Sequence, residues 1–496
     1  MYEMKTSLKG EQPMMDLLKE NLPAFILYMA ALCTVVFFST AEFSLILIGS
    51  APVFVLSIYL MQEAVSAFNI AQLTIPAFWY LTYLVMIYFP SFFVFHDLTG
   101  PGRHAYLFAV QSAMITVPLG ILAVNRWCGF DKESINAYFT GPIQEQAPRG
   151  EKLIVYTLFL SFAVASVWVY LASLETIPLL YMLQHPGEVE RLIVLREESF
   201  KLLDPRWGGS GSTPVFYIYL FLRTLVFPFL IMVSLGYLLI SRNGRWLFLF
   251  LVTSVTGIFY AASSIARAPV AAIVLRVAFF LYVFKQGRLG KKTIAVLLAC
   301  MLMFPFVVTK MAYGVGGMDL LDTMKKVAVR LTYTPAADLY DYFEIFPAHH
   351  DYLYGQALLK PVLVALGSDH FYIENYVYKY RYPTGVASGH SNAAFQSNLH
   401  ADFGVVGVLL GGFLVGILMQ GIQIYILRRE KTVLNIALYS FMVYAFWVLN
   451  MGSVTSVLFV NGVIPVLLLV LLFNGMERLF GFVTYLRKAD AGRSMP

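Results

Sequence analysis

Charge is scarce in this chain: 13% of its 496 residues are Asp, Glu, Lys or Arg, against about 25% in soluble globular domains. With 59% hydrophobic residues and a mean hydropathy of +0.70, a water-soluble fold is excluded and a polytopic all-α membrane protein is indicated. The formal net charge of +6 is too thin over this length to imply nucleic-acid binding, but it fits basic loops on the inner side of a membrane. Cysteine is also rare. Cys33 and Cys300 lie inside apolar runs and Cys128 in an expected inner loop, so no disulfide framework is expected. There is no Walker loop, no Rossmann fingerprint and no serine nucleophile elbow, which removes the nucleotide-binding and serine-hydrolase classes. No internal repeat or low-complexity tract is visible.

Against this apolar background one stretch stands apart. Residues 312–402 are roughly ninety polar, tyrosine-rich positions between TIAVLLACMLMFPFVVTKM and FGVVGVLLGGFLVGILM, two runs of the kind that span a bilayer. Such a segment must sit in water on one side of the membrane. At about twenty apolar residues per span, helices are expected near 24–40, 43–61, 74–95, 105–125, 153–174, 214–239, 246–265, 268–284, 293–313, 403–427, 432–450 and 454–475, about twelve within a single membrane domain covering 1–496. Lys5, Lys9 and Lys19, mixed with Glu3, Glu11 and Asp16, precede the first apolar run, which lacks a small-x-small cleavage site. This reads as a cytoplasmic amino terminus and a first span rather than a cleaved signal.

The basic residues agree with that alternation. Arg126, Lys132, Arg149 and Lys152 fall in the fourth connection, Arg242 and Arg245 in the sixth, and Lys285, Arg288, Lys291 and Lys292 in the eighth. Arg428, Arg429 and Lys431 fall in the tenth, and Arg478, Arg487 and Arg493 in the tail. Both termini are therefore expected inside, and the segments 175–213 and 312–402 outside. His96, His104, His185, His349, His350, His370, His390 and His400 all fall in outer segments, and histidine suits proton transfer near neutral pH.

The two outer segments have internal order. In 175–213, Pro186 is expected to begin an amphipathic surface helix with Leu192, Leu195, Leu202 and Leu203 on its apolar side and Glu197 paired with Lys201. Gly208, Gly209 and Gly211 then form a flexible return. In 312–402, Leu320, Leu321, Met324, Val327 and Leu331 have near-helical spacing, with Lys325 and Lys326 opposite. Thr334-Pro335 reads as the N-cap and first turn of a second helix, where Asp338, Asp341 and Glu344 share a side interleaved with Tyr340 and Tyr342. These tyrosines suit either packing within a lid or stacking on sugar rings, with the carboxylates and Asn392 taking hydroxyls. His349-His350-Asp351 lacks a further ligand at zinc-like spacing, so neither a metal nor a cofactor is expected.

Charges at membrane depth give the sharpest signal. Arg223 and Arg276 each lie about nine residues in from the outer end of their helices, roughly 13 Å down at 1.5 Å per residue. Arg267 marks the tight outer turn SIARAP, and Lys310 lies near the outer end of the ninth span. Arginine in hydrocarbon costs at least about 2.5–3.5 kcal/mol, so a deep arginine is expected to face a cavity or a partner. Glu42 is the comparable acidic residue, near an outer turn. The alternatives are an outward-facing cationic pocket for an anionic ligand, a loop carboxylate dipping in, or, for Arg267 and Lys310, snorkelling to the interface. A cationic pocket at this depth, roofed by tyrosine, carboxylate and histidine, suits a lipid-linked phosphate carrying a sugar.

The segments SSIARAPVAAIVLR, KQGRLGKK, RLTYTPAADLYDYFEIFPAHHDYLYG and HSNAAFQSNLHADFGVVGVLLGGFLVG are the ones that make this chain resemble the Wzy-type oligosaccharide repeat-unit polymerases, related to the O-antigen polymerases and ligases. The resemblance implies a GT-C-like membrane glycosyltransferase in a bacterial inner membrane. Its reaction would be metal-independent, inverting transfer of a glycan from undecaprenyl diphosphate to a sugar hydroxyl of another lipid-linked unit, with a chain-length regulator as a candidate partner. Arg267 and Arg330 are then expected to grip the diphosphate, with Arg223, Arg276 and Lys310 beside them. Related ligases place a histidine in an HN-type motif before the span that follows the loop. Here His390-Ser391-Asn392 carries an inserted serine, so His390, His400 and an acid such as Asp338 or Glu344 all stand as candidates for the base. Gly404 and Gly407 are expected to serve helix packing. A flippase or anion transporter, and a ligase-like glycan transferase, are the rival readings. A glycosyltransferase with a monosaccharide-lipid donor ranks behind them, because the first outer loop offers Glu42 alone.

Overall fold

A backbone in hydrocarbon must satisfy its own hydrogen bonds, and an uninterrupted apolar run does so most simply as a helix. The computed structural model describes residues 41–69, 72–145, 150–201, 218–312, 320–365, 371–383, 389–460 and 462–493. Among them all regular structure is helical. Ten helices are long and apolar enough to cross a membrane, and each coincides with an expected span. The expected span at 24–40 lies outside the described residues. The one at 293–313 appears as a helix over Lys291–Ala312.

We number the helices that position the site as α1 (Ala41–Val65), α2 (Ile75–Asp97), α3 (Arg103–Cys128), α4 (Glu133–Thr140) and α5 (Gly150–Ser173). Then come α6 (Pro178–Gln184), α7 (Val189–Lys201), α8 (Ile218–Ser241), α9 (Gly244–Ala262), α10 (Arg267–Phe284) and α11 (Lys291–Ala312). The chain ends with α12 (Leu320–Ile345), α13 (Gln356–Ala365), α14 (Ile373–Arg381), α15 (Gln396–Leu427), α16 (Val433–Asn450) and α17 (Val463–Arg493).

The core of the bundle is the α3–α15 pair. A methyl at Gly412 or Gly416 would strike Thr116 or the Val117 carbonyl, and one at Gly120 would strike the Phe413 carbonyl. Glycine therefore lets the two backbones touch, the usual device for packing helices where lipid and core are equally apolar. Around this pair, α16 is almost wholly buried. Among the described residues three spans contain a π-turn, at Leu84–Tyr88 in α2, at Leu222–Val226 in α8 and at Ser456–Val460 before α17; the first two are each followed within two residues by a proline, Pro90 and Pro228.

The bundle has two distinct ends. At one, the carboxyl ends of α3 and α15 meet through Arg428, which donates to the Cys128 carbonyl at 2.7 Å, and α4 and the start of α16 close over them. This end carries the basic connections. At the other, α12 lies across α2, α3 and the start of α15, and we call it the capped end.

The cap departs from expectation in one respect. Instead of two helices meeting at Thr334-Pro335, α12 runs unbroken from Leu320 through Pro335 to Ile345. The Thr334 hydroxyl donates to the Val329 carbonyl at 3.3 Å rather than capping a new helix. Burial of Ala336, Ala337, Leu339, Tyr340, Phe343 and Ile345 holds the second half in line and overrides the proline. In 175–213, the helix starts at Val189 rather than Pro186, with Leu192 and Leu195 buried as expected; Leu202, Leu203 and the glycines of the expected return lie outside the described residues.

Helix α15 is broken at Gly404, whose φ of 63° and ψ of −153° fit no helix. The short piece 396–403 folds back on the long one: a methyl at Gly407 would hit the Leu399 carbonyl, and one at Gly411 the Leu399 side chain. Glycine is required at 404 by its positive φ and at 407 by the close approach. Both expected packing roles are thus realised, one as the hinge of a reversal.

Candidate active site

The short piece of α15 ties the cap together. Asp402 accepts from the backbone N–H groups of Ala357 (3.0 Å) and Leu358 (2.9 Å), holding the start of α13 as a remote N-cap. His400 lies flat on Phe343, ring centroids 3.9 Å apart, with Tyr352 edge-on at 5.9 Å. Its Nε2 donates to the Phe346 carbonyl at 3.0 Å. At 2% exposed, His400 is locked between rings, which corrects the expectation that it stands ready as a base.

Glu344 and the two tyrosines are also held by partners. The Glu344 carboxylate accepts from Tyr340 Oη (2.8 Å) and from Gly102 N (3.3 Å), pinning α12 to the α2–α3 turn. Gly100 and Gly102 are glycine because a methyl at either would collide with Glu344, Tyr340 or the Phe343 backbone. Tyr340 packs edge-on against Tyr106. Tyr342 is fully buried, its hydroxyl donating to the Ser391 carbonyl at 2.9 Å. The two tyrosines leave α12 on nearly opposite sides and are buried against different neighbours, Tyr340 on α3 and Tyr342 on the chain that enters α15.

What α12 leaves outward is a line of charge. Arg330 is exposed one turn after the lysines. Asp338 and Asp341 follow, roughly 12 and 16 Å further along the helix at 1.5 Å per residue. One guanidinium nitrogen of Arg381, at the end of α14, donates to Asp338 Oδ1 (3.0 Å) and to Asp341 Oδ2 (2.9 Å). Burial raises both carboxyls and the charge of Arg381 pulls them back, which leaves Asp338 at about 6 and Asp341 at about 7. Two acids sharing one cation thus titrate near neutrality.

The cationic end of the line is built from three segments. Arg223, in the π-turn of α8, donates to Ser264 Oγ at 3.1 Å in the α9–α10 turn. Arg196 of α7 is held below its ordinary value by burial and then by the charges of Arg330 and Arg223. Arg330 and Arg223 thus each lie within electrostatic reach of Arg196. The Tyr170 hydroxyl donates to the Ser199 carbonyl at 3.3 Å and fixes α7 over α5. Around Arg223, Tyr170 lies 5.1 Å from Tyr219 and 5.6 Å from Tyr260. Arg267 is the first residue of α10, three positions from Ser264.

Arg276 does not share this site. It is 1% exposed, with its guanidinium 4.5 Å from the Phe441 ring and 3.9 Å from the Tyr444 ring, and it donates to the Thr224 carbonyl at 2.7 Å. Its place inside an apolar helix was legible from the sequence, but not the direction in which it points. The Lys310 side chain lies outside the described residues. His390 and Asn392 are exposed on the chain that enters α15. The backbone between them is anchored by Ser391 N donating to the Glu374 carbonyl at 2.9 Å. The Glu374 carboxyl is buried, yet its Lys360 ion pair at 2.7 Å and the nearby His390 hold it below the usual range.

Sequence reasoning passed over Arg196 and Arg381. Arg196 sat in a helix read only as amphipathic, and Arg381 is forty positions from Asp341 in the chain. Among the described residues no three His, Cys, Asp or Glu side chains come together as metal ligands. Scans against protein-family models, curated proteins and solved structures find no match to this chain.

Proposed function

We propose that this protein is a membrane glycosyltransferase that polymerises undecaprenyl-diphosphate-linked oligosaccharide units at the capped end of its bundle, which would then face outward from a bacterial inner membrane. The observation that carries this reading is that α12 presents the exposed Arg330 and, further along, the Asp338–Asp341 pair held on Arg381, with Arg196 within electrostatic reach of Arg330. Guanidinium forks match phosphate oxygens, and a carboxyl titrating near neutrality suits proton transfer. Arg196, Arg223 and Arg330, with Arg267 at their edge, would hold the diphosphate and stabilise the charge it gains on leaving. Asp338 or Asp341 would take the proton of the acceptor hydroxyl as its oxygen bonds to the anomeric carbon and the bond from that carbon to the diphosphate breaks. His390, exposed at the rim, is the alternative base.

The rival reading, a lipid-linked oligosaccharide flippase or anion transporter, draws on the break of α15 at Gly404, since interrupted helices frame many transport sites. One experiment separates the two. The purified protein is incubated in detergent with lipid-linked repeat units and a chelator, and the products are resolved by size. A ladder of lipid-linked oligomers supports the polymerase; its absence with folded protein and native units moves the reading to transport, measured next in liposomes.

A further inference from the structure

Proline at 228 removes the N–H that would bond to the Thr224 carbonyl four residues earlier. The helix responds with the π-turn over Leu222–Val226, where Phe227 N reaches back to Leu222 O. A carbonyl left without its helical donor inside a bundle needs another. Arg276 supplies it at 2.7 Å, with its guanidinium enclosed between Phe441 and Tyr444 of α16. The adjacent residue in the turn is Arg223, which reaches Ser264 at the head of the helix that carries Arg276. Two consecutive residues of α8 are thus clamped in opposite directions, Thr224 by Arg276 of α10 and Arg223 to Ser264 in the turn that precedes α10. A π-turn inserts one residue into the helical cycle, so its presence rotates Arg223 by about 100° relative to the rest of α8.

We infer that Arg276 is a positioning residue: by holding the Thr224 carbonyl freed by Pro228, it maintains the π-turn that presents Arg223 to the anion cluster with Arg196 and Arg330. This inference rests on the anion-site reading above for its functional consequence, but not for its geometry. It also accounts for an arginine that is buried at span depth without touching the site.

The test has two arms. In the first, Arg223→Cys is placed in a background lacking Cys33, Cys128 and Cys300, and labelled with a small charged thiol reagent that reacts only in water. Adding Arg276→Leu is expected to slow labelling severalfold; an unchanged rate in protein of wild-type fold overturns the inference whatever the site binds. Because Arg276→Leu alone can destabilise the bundle, Pro228→Ala is combined with it. The restored N–H then serves the Thr224 carbonyl and recovers the melting temperature, while labelling stays slow because the turn has become α-helical. Recovery of both reduces Arg276 to a stabilising role and rejects the inference.

In the second arm, binding of inorganic pyrophosphate is measured for wild type, Arg223→Gln and the Pro228→Ala/Arg276→Leu pair. Both variants are expected to bind about tenfold or more weaker. If wild type and Arg223→Gln bind alike, the anion-site reading fails while the first arm still decides the geometry. If Arg223→Gln alone loses affinity, the positioning inference fails and the anion site stands.

Discussion

The two ends of this bundle both bury charge, but they complete it differently. At the basic end a buried carboxylate is met by several donors. Glu145 accepts from Lys152, from the Tyr237 hydroxyl at 3.1 Å and from Val433 N at 2.7 Å, and Lys152 also meets Glu477 at 3.6 Å. Lys431, 3% exposed, donates to the Phe139 and Gly141 carbonyls at 2.9 and 3.0 Å, closing the end of α4. Its amine is lowered to about 8 by burial. At the capped end two carboxyls, those of Asp338 and Asp341, share the single guanidinium of Arg381. The first gives one carboxylate several donors, and the second asks one cation to serve two carboxylates.

Breaking the complement at the basic end is expected to have the largest effect on the protein itself. Glu145→Leu leaves the Lys152 ammonium buried without its nearest carboxylate and should cost about 3–5 kcal/mol. Thermal unfolding in detergent would register this as a large fall in Tm, and folded protein that survives should keep its specific activity.

Removing cations at the capped end should do the reverse. Arg223→Ala and Arg330→Ala, and Arg267→Ala at the edge, are each expected to reduce polymer formation by about 100-fold or more. Membrane levels should stay at wild type. Lysine replacements should recover little, because a point charge does not reproduce the guanidinium fork. Wild-type ladders from all three would end the diphosphate role.

A subtler change sharpens the comparison by pH. If the carboxyl pair supplies the base, the rate should rise with pH through about 6–7, as Asp338 and Asp341 lose their protons. Arg381 lowers both values, so Arg381→Met should move that rising limb to higher pH. The stability term has the matching sign: carboxyls raised in the folded state favour folding at low pH, and that contribution is lost between about 4 and 7. A limb unmoved in Arg381→Met would take the pair out of the reaction.

The smallest effect is expected at the rim. His390→Ala should leave polymer formation within about twofold if the carboxyl pair is the base. A collapse of activity with normal expression would transfer that role to His390.

Most of the architecture was legible in the chain. The ten spans follow from hydropathy, because lipid leaves a long apolar run few alternatives to a helix. Gly404 was legible as a boundary, since the polar-to-apolar change falls within two residues of it. Depth was legible as well: Arg223 and Arg276 are both embedded in spans. Azimuth was not. A single π-turn or a small rotation of α10 decides whether an arginine faces a site or a pair of rings, and neither is written in spacing along one helix. The same holds for Tyr342 and Glu344, whose helix face was recognised but not whether it turned inward, and for Arg381, whose partners are distant in sequence.

By itself, then, the sequence determined the solvent each segment prefers, because transfer free energy is a sum over local residues. The tertiary structure alone decided which charges meet, as Asp338 and Asp341 meet Arg381. That choice depends on distances between segments, and electrostatic energy in a low-dielectric bundle changes steeply over a few ångströms.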